Sequence, residues 1–223
     1  MEQFERARDL RNPARDARAV AARLSELGYA LHGDGAHFNP TRLEMLAMMR
    51  DFAAHLPEGA TAVVYIAGHG LSEGGDTYLI PADDADLRTR DNLGDHAVAL
   101  RSLTGRLAAR PGINAIVLVD ACSANGLRGE GAGSGSAGDL VTGSTGSMSL
   151  IYAAAPGQIA ADGNGTNSPF TTALLHALET PRAPLDQLFR RLTDHIGTAT
   201  AGAQTPWIMR SYGDVGPVYL TDR

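Results

Sequence analysis

Two stretches decide the fold: VVYIAGHG at residues 63–70 and NAIVLVDAC at residues 114–122. Each begins as a short apolar run and ends in residues whose side chains can do chemistry. Apolar runs of this length, bounded by turn-forming residues, predict strands buried on both faces. We predict three such strands, at residues 62–67, 115–119 and 149–154, and a short exposed strand at residues 77–80.

Amphipathic helices alternate with these strands. Asn12 as cap and Pro13 as first helical residue predict one helix, which ends at Gly28. A capping box formed by Thr41 and Glu44 begins the second. Three more are predicted at residues 97–110, from residue 168 onward, and from residue 185 to a stop at Gly197. The alternation predicts an α/β fold with a mainly parallel central sheet flanked by helices.

Composition excludes several classes of function. The 223 residues include 25 acidic and 19 basic side chains, the net charge is −6, and every basic residue is arginine. Without lysine there is no Walker-type phosphate loop and no Schiff-base chemistry. The acidic balance, with no basic run, predicts no nucleic-acid partner and no anionic membrane surface. No apolar stretch is long enough to span a membrane.

The N-terminal sequence and the single cysteine favour a cytoplasmic location. The first residues, MEQFERARD, lack the apolar core of a signal peptide. One cysteine, Cys122, cannot form an internal disulfide. Neither a metal site nor an organic cofactor is indicated by the remaining motifs, since the histidines lack metal-ligand spacing and the single GxGxxG match follows no strand.

The two strand ends carry the candidate catalytic residues. Ligands of open parallel sheets bind beyond the carboxyl ends of the strands, where His69 and Cys122 are placed if the strands are neighbours. A cysteine thiolate attacks carbonyl carbons, and a histidine supplies the base it needs near neutral pH. The amides of Gly70 and Cys122 are candidates for an oxyanion hole. A buried core cysteine and a structural histidine remain the alternative interpretation.

Several blocks in order resemble the caspase/metacaspase superfamily of cysteine peptidases (peptidase family C14), especially bacterial caspase-like proteins. The similar blocks are LRNPARDARAVAARLSELGY, VVYIAGHG, DTYLIPADD, IVLVDAC, SLIYAAAPGQIAADG, SPFTTALLHAL and QTPW. The histidine stands 122 − 69 = 53 residues before the cysteine, close to the spacing of caspases. The resemblance implies a caspase-like three-layer sandwich, with His69 as general base and acid and Cys122 as nucleophile of an endopeptidase.

Substrate specificity also follows from the resemblance. Caspases carry glutamine before the Ala-Cys pair, whereas this chain has Asp120, as metacaspases do. A second pocket acid of metacaspases corresponds to Asp16. Two carboxylates imply cleavage after arginine or lysine rather than after aspartate. Without the resemblance, Asp16 is an ordinary acid near a helix start.

We expect one caspase-like peptidase domain over residues 1–223. Its large-subunit-like part is 1–127, its small-subunit-like part is 148–223, and a Gly/Ser-rich segment at 128–147 is predicted to be a flexible loop. Arg128 in that loop is a candidate self-cleavage site; a tolerated insertion is the alternative.

Two further expectations concern regulation. The acidic residues Asp83, Asp84 and Asp86 are compatible with calcium activation, or with a solvated acidic turn. The family's first buried strand has no apolar counterpart in residues 1–9, so that strand is absent, truncated or supplied another way. The competing hypothesis is a catalytically inactive caspase-like interaction module. A protein or peptide substrate is the expected partner, and the sequence leaves the oligomeric state open.

Overall fold

The structure is a computed structural model that describes residues 10–83, 93–123, 139–140, 146–156, 158–211 and 218–220, without the side chains of Asp34, Cys122 and Ser123. Six strands form one sheet. They are β1 (Thr61–Glu73), β2 (Asp76–Leu79), β3 (Val98–Ala99), β4 (Asn114–Ser123), β5 (Ser147–Tyr152) and β6 (Trp207–Ser211). Their order in the sheet is β3-β2-β1-β4-β5-β6.

The centre of the sheet is parallel and its edges are antiparallel. β4 pairs in parallel with β1 on one side and with β5 on the other. β2 and β3 extend one edge by antiparallel pairing, and β6 extends the other. The predicted α/β class is therefore confirmed, with the parallel pairing confined to the three central strands.

In the described part of the chain, six α-helices accompany the sheet: α1 (Pro13–Glu26), α2 (Arg42–His55), α3 (Leu93–His96), α4 (Arg101–Ala108), α5 (Pro169–Ala177) and α6 (Leu185–Ala199). The capping box before α2 is present, because Thr41 and Glu44 bond to each other's backbone as predicted. Ser168 caps α5 by accepting a hydrogen bond from the amide of Thr171. These local signals fix where α2 and α5 begin.

Two hydrophobic cores, one on each face of the sheet, make the three layers. Buried side chains of α1, α5 and α6, such as Val20, Leu174 and Leu188, pack on one face. Buried side chains of α2 and α4, such as Met49 and Leu103, pack on the other. The caspase-like three-layer arrangement inferred from the resemblance is confirmed.

Three local predictions were wrong. The strand predicted as exposed at residues 77–80 is the buried β2, because it lies between β1 and β3 and its Thr77 and Leu79 face the interior. Residues 98–99 form the edge strand β3 instead of helix, so α4 begins only at Arg101. Gly197 does not end α6, which continues to Ala199. A helical glycine is disfavoured by only about 1 kcal/mol, which the buried face of α6 offsets.

The outer edge of β1 bears on the predicted loss of the first strand. Among the described residues, β1 has a strand partner on the side away from β4 only from Gly70 to Glu73, where β2 pairs with it. Residues 1–9, on which the prediction falls, lie outside the described residues. The prediction of an absent or truncated first strand therefore stays a prediction.

Candidate active site

The two candidate catalytic positions are direct neighbours in the sheet. In the parallel register of β1 and β4, His69 is the partner of Cys122. Adjacent strands are about 4.8 Å apart, so the two backbones lie side by side near the carboxyl end of β4. The side chain of Cys122 lies outside the described residues. The structure thus brings the two positions together, and the roles of both side chains stay predictions.

The sequence suggested that His69 lies at the end of its strand, and the structure shows that it does not. β1 continues to Glu73 because a hairpin folds back onto it, and the backbone carbonyl of His69 accepts a hydrogen bond from the amide of Ile80. Gly74 and Gly75 have φ angles of 59° and 89°, as a two-residue hairpin turn requires. The dipeptide Gly74-Gly75 was the signal for this hairpin.

The predicted oxyanion-hole residues lie at the same level. Gly70 stands between Leu79 of β2 and Ser123 of β4 in the register. Gly68, just before His69, has a φ of 150°, which disfavours any side chain there, and the space where a Cβ would project is open. The role of the Gly70 and Cys122 amides is not tested by this geometry.

The two predicted pocket acids come together. Asp16 and Asp120 line one surface depression with Ala67, Gly68 and Ser168. Asp120 is the register partner of Ala67, two residues before the His69–Cys122 pair on both strands. Two residues of a strand span about 7 Å, so the depression lies close to the dyad positions along the sheet. The depression is further lined by Leu10, Pro13, Ala161 and Asp162.

Three hydroxyl groups hold the carboxylate of Asp120. Its Oδ2 atom accepts from the hydroxyl of Ser168 at 2.5 Å, from that of Tyr65 at 3.1 Å and from that of Thr171 at 3.2 Å. Tyr65 and Thr171 are also within 2.7 Å of each other. None of the described residues donates to Oδ1, the oxygen that remains for a ligand.

Asp16 is held from the opposite wall. Its Oδ1 atom accepts from the side-chain amide of Asn167 at 2.7 Å and from the backbone amide of Ser168 at 3.1 Å. Oδ2 receives no hydrogen bond from the described residues. Ser168 therefore touches both acids, with its amide on Asp16 and its hydroxyl on Asp120.

The start of α1 is fastened to the loop that carries these donors. Asn12 is the N-cap residue of α1, as predicted, but its side chain makes no capping hydrogen bond. Its side-chain amide donates to the backbone carbonyl of Asp162 instead. The carboxylate of Asp162 in turn accepts from the amides of Arg11 and Asn12. These bonds hold α1 so that Asp16, one turn further on, faces the depression.

Burial governs the ionisation of both acids. Asp16 is 1% exposed and Asp120 is 8% exposed. Loss of hydration raises the pKa of Asp120 to about 6, with a further increase from Asp16 and opposing hydrogen bonds from Ser168, Tyr65 and Thr171. Loss of hydration also raises the pKa of Asp16, against the hydrogen bonds from Asn167 and Ser168. No salt bridge joins either acid to another described residue. In the described part of the chain, the depression therefore holds two acids without a paired cation.

Sequence reasoning missed the groups that support the acids: Tyr65, Asn167, Ser168 and Thr171. Two of them carried a local signal. Tyr65 is two residues before Ala67 on β1 and so shares its face of the strand, and Ser168 was already recognised as the residue before Pro169 that begins a helix. Nothing local linked either residue to an acid 48 or more positions away.

Several other predictions fall partly or wholly outside the described residues. Arg128, Asp84 and Asp86 lie outside them. Asp83 accepts a hydrogen bond at 2.8 Å from the amide of Arg42, at the start of α2. The described residues contain no cluster of three metal-ligating side chains. They also contain no helix that is long and apolar enough to cross a membrane.

Comparisons with known proteins agree with the fold. A family model described as a caspase domain matches residues 1–214. The crystal structure of protein GSU0716 from Geobacter sulfurreducens is similar, with a TM-score of 0.65 and 18% sequence identity, over 96% of this chain and 89% of that one. No curated protein matches the sequence significantly. At this identity the structural likeness shows the fold alone.

Proposed function

Because the chain belongs to the caspase-domain family of cysteine peptidases, we propose that it is an endopeptidase that cleaves after arginine or lysine. One observation carries the proposal: two buried carboxylates, Asp16 and Asp120, line a single depression beside the adjacent positions His69 and Cys122. A basic side chain of the substrate enters the depression and pairs with both acids.

The proposed reaction begins at the thiol of Cys122. The imidazole of His69 takes the thiol proton, and the thiolate sulfur attacks the carbonyl carbon of the scissile peptide bond. The amides of Gly70 and Cys122 donate to the negatively charged oxygen that forms. His69 then gives its proton to the leaving amine, the C–N bond breaks, and a thioester remains on Cys122.

Hydrolysis of the thioester completes the cycle. His69 takes a proton from a water molecule, and the resulting hydroxide attacks the thioester carbon. The C–S bond breaks, the product leaves with a new carboxyl group, and the sulfur regains a proton through His69. No metal ion or organic cofactor takes part in these steps, although calcium activation remains part of the hypothesis.

The charge of the depression supports the choice of a basic residue. A guanidinium or ammonium group supplies donors to Asp16 Oδ2 and Asp120 Oδ1, the oxygens without a donor among the described residues. Each charge-assisted bond formed out of water is stronger than one between neutral groups. The bound cation also favours the ionised form of Asp120, so binding a basic side chain lowers the raised pKa of this acid. An aspartate side chain would bring a third negative charge and is rejected.

The decisive experiment compares fluorogenic peptides that are identical except for Arg, Lys or Asp at the residue before the cleaved bond. Wild type should hydrolyse the Arg and Lys peptides, and Cys122→Ala should hydrolyse none. Asp16→Asn should lower kcat/KM for the Arg peptide by roughly 30-fold or more, the equivalent of about 2 kcal/mol for removing one partner of a buried charge pair.

A matched control separates the pocket from general charge effects. Asp51→Asn removes a carboxylate of the same size that is 48% exposed on α2 and, among the described residues, forms a salt bridge with Arg50 at the surface. It should leave kcat/KM unchanged. Preference for the Asp peptide would refute the pocket, and equal turnover by Cys122→Ala would refute the nucleophile. No hydrolysis of any peptide by the wild type would favour the inactive interaction module.

A further inference from the structure

One acid outside the pocket is buried as completely as the pocket acids. Asp139 lies in the Gly/Ser-rich segment, yet it is 0% exposed. Its Oδ1 atom accepts from the backbone amide of Thr77 at 3.0 Å, and its Oδ2 atom accepts from the hydroxyl of Tyr152 at 2.8 Å. Most of the segment 128–147 lies outside the described residues, so the prediction of a flexible loop stays a prediction; at Asp139 itself the carboxylate is buried and hydrogen-bonded.

The two donors stand on either side of the strands that carry the dyad. Thr77 belongs to β2 and Tyr152 ends β5, and the sheet order places β1 and β4 between β2 and β5. Tyr152 is the register partner of Val119, three residues before Cys122. The carboxylate of Asp139 thus links the strand beyond His69 to the strand beyond Cys122.

We propose that Asp139 is a positioning residue: by linking β2 to β5 across β1 and β4, it holds side by side the ends of the two strands that carry His69 and Cys122. This inference rests on the proposed peptidase function. β4 ends at Ser123, and Asp139 is the next residue that the structure describes along the chain. The link from Thr77 to Tyr152 spans β1 and β4, so it restrains these two strands from both sides.

The surroundings of Asp139 favour a geometric role over a stabilising one. Loss of hydration raises its pKa, and the nearby Asp76 raises it further, against hydrogen bonds from Thr77 and Tyr152. Among the described residues no cation pairs with Asp139, because Arg101 pairs with Asp76 instead, at 2.7 Å. A buried carboxylate that pairs with no cation among the described residues adds little to stability, so its contribution lies in its directional hydrogen bonds to Thr77 and Tyr152. The next residue, Leu140, packs against the hydrophobic core on the same face.

Two variants weaken the link to different degrees. Tyr152→Phe removes one hydrogen bond and keeps the carboxylate, and Asp139→Asn keeps one acceptor oxygen and removes the charge. Tyr29→Phe is the matched control, since its hydroxyl donates to the backbone carbonyl of Leu220, away from the dyad. If Asp139→Asn fails to fold, Tyr152→Phe still tests the inference.

The first measurement is the rate at which iodoacetamide alkylates Cys122, followed across pH. Because the chain has one cysteine, the alkylated fraction reports on this thiol alone. A thiolate stabilised by a positioned His69 should react with a midpoint below 8.5, the pKa of a free cysteine. In both test variants the midpoint should move upward toward that value, and in Tyr29→Phe it should stay. Removing a negative charge alone would move it downward.

The second measurement is the kinetics of peptide hydrolysis. Misplacement of a reacting group lowers the rate of the chemical step, so kcat should fall by about tenfold or more while KM changes little. Unchanged kcat and an unchanged alkylation midpoint in both variants would overturn the inference. If wild type hydrolyses no peptide, the proposed function fails, and the alkylation midpoints alone decide on the role of Asp139.

Discussion

Replacing Asp120 with asparagine should make the protein more stable and at the same time weaken the proposed preference for basic residues. The carboxylate is 8% exposed, and none of the described residues forms a salt bridge with it. Burial raises its pKa from 3.8 to about 6. Because a change of one in pKa corresponds to about 1.4 kcal/mol, ionising Asp120 costs about 3 kcal/mol more in the folded protein than in the unfolded chain.

The sign of the pH dependence follows from the raised pKa. Below about pH 4 the acid is protonated in both states and costs nothing. Between about pH 4 and pH 6 the unfolded chain releases the proton and the folded protein keeps it, so stability falls as the pH rises. Above pH 6 the loss is complete. Asp120→Asn lacks this loss and keeps a carbonyl oxygen that can accept from Ser168.

The assay is urea unfolding of wild type and variant at pH 4.5 and pH 8. At pH 8 the free energy of unfolding of Asp120→Asn should exceed that of wild type by up to about 3 kcal/mol, or roughly 6–12 °C in Tm for a chain of this size. At pH 4.5 the difference should be much smaller. Asp51→Asn, whose carboxylate is half exposed, should show no such change. A variant that is equally or less stable than wild type at both pH values would refute the reasoning about burial.

Three further predictions concern the same region. KM for an Arg peptide should fall as the pH rises through about 6, because Asp120 then ionises and the depression gains its second negative charge; a KM independent of pH between 5 and 8 would contradict this. Ser168→Ala removes the side-chain cap of α5 and the hydroxyl that donates to Asp120, while the backbone amide still donates to Asp16. Tm should therefore fall by the equivalent of about 1 kcal/mol or more, and the pH midpoint of KM should rise. A matched Thr193→Ala change, which removes a hydroxyl bond within α6, should leave that midpoint in place. If the protein cuts itself after Arg128, Arg128→Gln should remain one band on a denaturing gel under conditions in which wild type gives two; cleavage of the variant at the same place would contradict the assignment.

The fold was largely predictable because most of its strands and helices have clear local sequence signals. The apolar runs of β1, β4 and β5 and the capping box before α2 need no distant partner to be recognised. The sheet edges were less predictable. β3 has two residues, too few for a periodic pattern, and β6 is a short run without clear alternation. The hairpin after His69 was signalled by Gly74-Gly75, and its omission made β1 appear to end too early.

The pocket was predictable only in its acids, and these only through the family resemblance. The donors that hold Asp120 come from residues up to 55 positions away, and those that hold Asp16 come from more than 150 positions away. Contacts at such distances depend on the folded sheet and leave no local pattern. The burial of Asp139 was hidden for a related reason. The residues before it are small and mostly glycine, serine and alanine, whereas its partners Thr77 and Tyr152 lie on strands far away in the sequence.

The most direct test of the proposed peptidase is covalent labelling followed by intact mass measurement and peptide mapping. A chloromethylketone attached to a peptide ending in arginine reacts with a thiolate by losing chloride and forming a thioether. The protein should gain one label, on Cys122, and the matching reagent ending in aspartate should leave it unmodified. Labelling by the aspartate reagent, or an unmodified Cys122 after exposure to the arginine reagent, would contradict a cysteine peptidase whose acidic pocket selects basic residues.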